Sequence, residues 1–397
     1  MGTGYDDRMT SPTPIYGLVC AGGGAHGAYQ VGVLNYVHEH FCNGDASPFR
    51  IFCGTSAGSL NTCFFASRSF DARVARVELE ELWLDFHVPH YHGNILISGL
   101  KSLFKEWTTP RKRKKPCWSL LDPRPLIDIV GRGFIRASFE RALAEGTTLC
   151  LSIATTELRS SRLVFFVEGP NAVSWNSGLA IAVKARIDVT HIAASCSVPF
   201  VFPPIKIGDH YYADGGIANK GPFGPAINLG ATRILSVATD RPLPQELPQY
   251  PPGFKPSLGE TVRMLGNQLS HDYATNQALW IELVNYFREQ LPARQFEETV
   301  GHIISDKITN LSKYRPVEIK LFAPSRRIGH TDIFSPEFFD EDLKNTSTVL
   351  RFHKEFVRKL IGYGYSDAAA RHDELAEFFD TSRPQRPSQF SQPDTVL

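Results

Sequence analysis

The sequence predicts an α/β protein: a three-layer α/β/α sandwich around a mostly parallel central sheet, with extra helices at its C-terminal end. Two observations carry this. A short apolar run, a glycine-rich turn and a segment of helical spacing open the chain, and the same run–turn–helix order then repeats. Further short apolar runs recur downstream, as expected when a parallel sheet is covered by helices on its faces.

Taken in order, residues 1–14 are polar with two prolines and read as a loose tail. Residues 15–21 form a buried strand. Residues 28–40 place Val31, Leu34 and Val37 at helical spacing. Residues 49–53 read as the second strand and 57–67 as the second helix. Later strands are expected at 149–154, 163–167, 233–238 and 317–322. Residues 242–256 contain six prolines in 15 residues and read as an extended connector. Ser257 and Glu260 then make a capping-box pair, followed by Leu258, Val262, Leu265 and Leu269 at helical spacing. Closing helices are expected at 334–361 and 366–379. Residues 381–397 hold three Ser, three Pro and three Gln and read as disordered. No repeat and no second core is visible, so 15–380 reads as one domain.

Composition narrows the function classes. The chain has 397 residues, 42% hydrophobic and 21% charged, which is ample for a large core and excludes a fibrous or mostly disordered protein. Lys and Arg number 42 against 41 Asp and Glu, a net charge of +1, which argues against a general polyanion binder and leaves room for a local patch. Cys20, Cys53, Cys63, Cys150 and Cys196 lie in apolar segments and read as small buried hydrophobes. No cysteine spacing suggests a disulfide framework or a zinc site, and no carboxylate cluster has a calcium-loop spacing, so neither metal nor cofactor is expected. The start lacks a basic, then apolar, secretory pattern. Gly2 is followed by Asp6 where myristoylation requires Ser or Thr. No apolar stretch is long enough to span a bilayer. The expectation is a cytoplasmic protein.

Two turns carry the chemistry. Gly22, Gly23, Gly24, Ala25, His26 and Gly27 fit GxGxxG between a strand and a helix. A dinucleotide site would have this turn, but it also needs an acid at the end of the next strand to hold the ribose, and there the chain has Gly54, Thr55 and Ser56. A glycine-rich turn can instead aim backbone N–H groups at a carbonyl oxygen, forming an oxyanion hole. A plain tight turn needs fewer glycines. The second turn, Gly54, Thr55, Ser56, Ala57 and Gly58, matches G-x-S-x-G, a sharp strand-to-helix elbow that exposes a serine at a helix N-terminus. Small residues make such pentapeptides common, so a packed turn is the bland alternative. A third element is Asp214, Gly215 and Gly216 after Tyr211 and Tyr212. Alone, Asp-Gly reads first as a hairpin turn.

Motif order separates the chain from the α/β-hydrolase arrangement, in which the elbow follows several strands and a histidine closes the triad. Together the three elements resemble the patatin-like phospholipases. The stretches Ser119, Leu120, Leu121 and Asp122, with Pro125 and Leu126, also look like that family. So do Ala154, Thr155, Thr156, Glu157 and Leu158, and the run Ala194, Ser195, Cys196, Ser197, Val198 and Pro199, continued by Phe202, Pro203 and Pro204. The resemblance runs over about residues 15–370 and looks most like bacterial members. It implies a patatin-like sandwich and a serine lipid acyl hydrolase of phospholipase A type. Ser56 would be the nucleophile and Asp214 the base. Backbone N–H groups of Gly22, Gly23, Gly24 and Ala57 would form the oxyanion hole, and Gly27, Gly54, Gly58, Gly215 and Gly216 would support the motifs. The family usually carries Arg or Lys where this chain has His26, so any supporting charge there becomes pH-dependent. Other serine acyl enzymes (thioesterase, acyltransferase, small-ester esterase) and a catalytically silent binding protein of the same fold remain alternatives.

Arg111, Lys112, Arg113, Lys114 and Lys115 are consecutive cations, with Trp107, Trp118, Leu96, Leu100, Leu103 and Phe104 nearby. This insertion, residues 95–118, has two main readings: a solvated loop, or a lid or contact that meets an anionic membrane peripherally. Nucleic acid is not expected as a partner, because the near-neutral chain offers no extended basic surface. A membrane phospholipid is the expected substrate.

Overall fold

Strand β1 (Tyr16–Cys20) is buried along its whole length and pairs in parallel with β2 (Ile51–Thr55) on one side and β9 (Arg233–Val237) on the other. The computed structural model describes residues 13–42, 44–86, 124–177, 180–199, 201–219, 222–239, 274–299, 316–325 and 352–382. Within them β10 (Glu318–Phe322) extends the parallel set beyond β9, and β3 (Cys150–Glu157) extends it beyond β2. The sheet is therefore parallel across β10-β9-β1-β2-β3. Past β3 it becomes mixed. There β4 (Leu163–Glu168) is antiparallel to β3 and carries β6 (Ala180–Lys184), and β5 (Trp175–Asn176) closes the edge. A hairpin of β7 (Ile205–Ile207) and β8 (His210–Asp214) joins the far end of β3 through β8.

The period-2 alternation of the strands sorts side chains into two cores. Leu18, Cys20, Phe52, Leu151 and Ile153 face one side. Val19, Ile51, Cys53, Cys150 and Ala154 face the other. The first face is covered by α1 (Gly27–His40), α2 (Ala57–Ser67), α3 (Ala72–Leu84), α10 (Lys354–Ala370) and α11 (His372–Phe379). The second is covered by α7 (Gly224–Asn228), α8 (Ala274–Gln290) and α9 (Ala293–Thr299). The helices α4 (Arg124–Gly133), α5 (Arg136–Ala144) and α6 (Val189–Ser195) complete the described set. This is the expected α/β/α sandwich, with the parallel character concentrated in five strands. No helix among the described residues is long and apolar enough to cross a membrane.

Several expected boundaries move, among them the end of the strand expected at 149–154, which runs on to Glu157. The second strand starts at Ile51 instead of residue 49, because the Phe49 N–H is taken by Ser47 Oγ at 3.3 Å and the ladder with β1 opens at Gly17↔Ile51. It also continues through Gly54 to Thr55, which pairs with Ala154, so strand geometry runs up to Ser56. The break expected between 361 and 366 is absent. α10 runs unbroken through Gly362 and Gly364, and the chain turns at Arg371. A Cβ on Gly364 would sit 2.0 Å from Tyr29 O, and one on Gly32 would sit 1.9 Å from Ile361 O, so these glycines let α1 and α10 cross backbone to backbone. The five cysteines expected to be buried are buried and free. The N-terminal tail up to residue 12, the insertion 95–118, Ser119 to Asp122, the connector 242–256, the capping-box helix from Ser257, the segment 334–351 and the tail from 383 lie outside the described residues.

Candidate active site

Parallel strands end at one edge of the sheet, and the turns that leave β1 and β2 there stand side by side. Gly58, in the first turn of α2, presses on the end of β1: a Cβ there would lie 2.2 Å from Cys20 O and 2.6 Å from Ala21 O. A Cβ on Gly22 would come 3.1 Å from Ser56 Cβ, and one on Gly27 would come 2.8 Å from Ala57 Cβ. The glycine-rich loop and the serine elbow are thus in direct contact. Gly24 takes φ +55 and opens a single 3₁₀ turn, Gly24–His26, ahead of α1. Among the described residues, the backbone N–H groups of Gly22, Gly23, Gly24 and Ala57 have no acceptor. Gly23 packs on Thr239: a Cβ there would lie 2.3 Å from Thr239 Oγ1, the hydroxyl that donates to Gly22 O at 2.5 Å.

Ser56 is the N-cap of α2 with φ 54 and ψ −127. A non-glycine residue in that region is strained by about 1–3 kcal/mol and persists only where its surroundings over-determine it. Those surroundings are visible. The Ser56 N–H donates to Ser195 Oγ at 3.0 Å, and its carbonyl accepts from Ser59 N at 2.8 Å and from Cys196 Sγ at 3.1 Å. Gly54 cannot be enlarged either, because a Cβ would lie 2.2 Å from Thr62 Oγ1.

Asp214 is the last residue of β8, and its position comes from the sheet. It pairs with Thr155 of β3, and its carbonyl accepts from Thr156 Oγ1 at 2.8 Å. The Asp-Gly-Gly run is therefore not a hairpin turn: a 3₁₀ turn, Gly215–Ile217, follows the strand. Gly215 lies against β3, where a Cβ would be 2.4 Å from Ala154 O, and Gly216 donates its N–H to Asp214 Oδ1 at 2.8 Å. Asp214 Oδ2 is buried without a hydrogen-bond partner. Burial pushes the Asp214 carboxyl up to about 6, against the pull of the nearby Ser56 hydroxyl and the Gly216 N–H, which favour the ionised form. Ser56 and Asp214 are only 6% and 5% exposed, and the Ser56 hydroxyl is near enough to the Asp214 carboxyl to favour its ionised form.

His26 does not restore the charge that an arginine or lysine would bring. Burial lowers it to about 4, so it is neutral near pH 7, with its ring edge-on to Phe356 at 6.4 Å. His191 fills the N3 position of the α6 capping box with Asp188, and His210 is an exposed neighbour of Glu157. Among the described residues, no histidine hydrogen-bonds to Ser56 or Asp214.

Sequence reading missed the residues that brace the loop. Gln30 Nε2 donates to Ala21 O and Val237 O, both at 2.9 Å. Asn61 Nδ2 donates to Gly27 O at 3.0 Å and to Gln30 Oε1 at 2.9 Å, and Trp83 Nε1 donates to Asn61 Oδ1 at 2.7 Å. Asn219 Nδ2 reaches Thr55 Oγ1 at 3.0 Å. The available signal was an amide side chain, Gln30 or Asn61, within the mainly small or apolar stretch that follows each glycine-rich turn. A buried amide with all its hydrogen bonds made rigidifies what it touches.

The family described as patatin-like phospholipase matches residues 18–227, just over half of the chain. Among solved structures, VipD from Legionella pneumophila is similar at 12% identity and a TM-score of 0.34, with 92% of this chain and 68% of that chain covered. Human GIVD cytosolic phospholipase A2, in complex with methyl gamma-linolenyl fluorophosphonate, is similar at 13% identity and a TM-score of 0.37. That alignment covers 93% of this chain and 59% of the human one, so this chain spans well under two thirds of the human protein's length. No curated protein matches the sequence.

Proposed function

The chain belongs to the patatin-like phospholipase family, whose members are lipid acyl hydrolases, and we propose that it cleaves fatty-acyl esters of phospholipids in the manner of a phospholipase A. Ser56 Oγ attacks the ester carbonyl while Asp214 accepts its proton. The carbonyl oxygen becomes an oxyanion held by backbone N–H groups of the Gly22–Gly23–Gly24 loop and Ala57. Collapse expels the lysolipid alcohol, which takes the proton from Asp214, and leaves an acyl-enzyme. Asp214 then draws a proton from water, which attacks the acyl carbonyl; collapse releases the fatty acid, and Asp214 returns the proton to the departing Ser56 Oγ. A carboxylate is a weak base for a hydroxyl, so proton transfer has to be concerted with attack and with oxyanion stabilisation.

The observation that carries this reading is the strained Ser56 backbone beside a buried carboxylate with an unpartnered oxygen. A backbone outlier and a desolvated acid at one site are the signs of a tuned site. Turnover compared on phospholipid, acyl-CoA and a small soluble ester tests the substrate class. Phospholipid is expected to be the best substrate, and a strong preference for acyl-CoA would move the protein to the thioesterases or acyltransferases.

The acid limb of the rate profile follows from Asp214. As the base it must be ionised, so kcat/KM is expected to fall below about pH 6 and to level off above it. Measurement on a soluble ester checks this. A limb at about 4, the range of an unperturbed aspartate, would contradict the desolvated base.

The run Arg111, Lys112, Arg113, Lys114 and Lys115 is proposed to meet anionic lipid. Neutralising all five is expected to weaken binding to phosphatidylserine vesicles at low salt, with each cation near the surface contributing about 1 kcal/mol before screening. Hydrolysis of a soluble ester is expected to change little. Equal vesicle binding at low salt would return the run to a solvated loop.

A further inference from the structure

We propose that Ser195, at the C-terminal end of α6, is the positioning residue that locks the nucleophile to the base. The inference rests on Ser56 and Asp214 acting as proposed above. It starts from how the two residues are held: Asp214 Oδ1 accepts from Gly216, Oδ2 has no hydrogen-bond partner, and the backbones of both residues are tied to one stretch of chain. Among the described residues, only the stretch 195–197 hydrogen-bonds to both. Ser195 Oγ accepts the Ser56 N–H at 3.0 Å, Cys196 Sγ donates to Ser56 O at 3.1 Å, and Ser197 O accepts the Asp214 N–H at 2.9 Å.

Within that stretch the Ser195 hydroxyl is the junction. It donates to Ala154 O at 2.6 Å, and Ala154 is the β3 residue paired with Thr55. A hydroxyl has one proton and two lone pairs. With the proton given to Ala154, the 2.7 Å contact with Ser59 Oγ must have Ser59 as donor, so all three capacities of Ser195 are used. The hydroxyl therefore links the nucleophile's own peptide, the first turn of α2 and β3, the strand against which Asp214 is paired. Cys196 is the weaker partner, because the Ser56 carbonyl it meets already accepts from the α2 amides. Loss of the Ser195 hydroxyl leaves the Ser56 N–H, inside a dry site, without its acceptor. It also frees a strained φ to relax.

The test is steady-state kinetics of Ser195→Ala on a soluble ester, with the rate of inactivation by an alkyl fluorophosphonate measured alongside. The expected result is a kcat about 10- to 100-fold lower, the size of effect that slight misplacement of reacting groups produces. KM is expected to stay within about twofold of wild type, and fluorophosphonate inactivation to slow in parallel with kcat. Ser69→Ala is the control, since it removes a buried hydroxyl bonded to Ala66 O, Thr147 and Thr148, away from Ser56. It is expected to lower stability and leave kcat unchanged. If alanine at 195 prevents folding, Ser195→Cys keeps the volume with a poor hydrogen-bonding group and is expected to show the same loss of kcat. Wild-type kcat in either folded Ser195 variant would overturn the proposal, as would an equal loss of kcat in Ser69→Ala. Peptide mapping of the wild-type adduct separates the two ideas. A label away from Ser56 overturns both, whereas a label on Ser56 that forms at the wild-type rate in Ser195→Ala overturns only the role of Ser195.

Discussion

Ser56→Ala is expected to lower ester turnover by about 10⁴-fold or more while leaving the fold intact, in line with the loss of other serine nucleophiles. The size follows from what is removed. The Oγ is the atom that bonds the acyl carbon, and no other described hydroxyl stands at a strained strand-to-helix elbow beside an unpartnered carboxylate. The retained fold follows from what stays. The Ser56 backbone keeps its bonds to Ser195 and Ser59, which do not involve the lost hydroxyl. Assay of the purified variant on phospholipid vesicles, with a melting curve beside it, checks both halves. Wild-type turnover in the variant would remove Ser56 from the mechanism.

Asp214→Asn is expected to be nearly as damaging to turnover, about 10³-fold or more, and yet to raise stability near pH 8. An amide cannot accept the Ser56 proton. It can still accept the Gly216 N–H through Oδ1, so the turn is kept. The stability effect has a definite sign. The folded protein raises the carboxyl from 3.8 to about 6, which means that it favours the protonated acid. That contribution is complete below the unfolded value and is lost as the pH rises through about 6. Above this window the wild type holds a desolvated charge at a cost of up to roughly 3 kcal/mol, which asparagine does not have. The melting temperature of Asp214→Asn should therefore exceed that of wild type at pH 8 and converge with it toward pH 4. His26→Gln, His191→Gln, His210→Gln and His271→Gln should each keep a substantial fraction of turnover. An active Asp214→Asn, together with one histidine variant as dead as Ser56→Ala, would replace the dyad with a Ser–His mechanism.

The parts of this site that were legible in the sequence are those whose signal is local. A glycine-rich turn between an apolar run and a helix, and GxSxG in the same setting, are short-range patterns, and α2 begins and ends where its pattern does, at Ala57 and Ser67. Asp214 was less local, because Asp-Gly alone reads first as a hairpin; only its pairing with Thr155 of β3 brings it to the serine. The break expected after residue 361 failed for a related reason. Glycine marks a turn when read along the chain, but Gly364 is there for a contact across space with Tyr29 of α1, and helix geometry tolerates it. Gln30, Asn61 and Ser195 were invisible as site residues because their value lies in partners far along the chain, such as Val237 for Gln30 and Ser56 for Ser195. His26 was read as a charge whose presence depends on pH. Its burial, which periodicity could not reveal, makes it neutral down to about 4.

The most direct test of the central claim, that Ser56 is a nucleophile activated by Asp214, is mass-spectrometric mapping of the protein after treatment with an alkyl fluorophosphonate. One covalent adduct is expected, on the peptide carrying Ser56, formed at a rate that falls as the pH drops through about 6 and is strongly slowed in Asp214→Asn. An adduct on a different residue of the active enzyme, or labelling of Ser56 at an undiminished rate in Asp214→Asn, would contradict it.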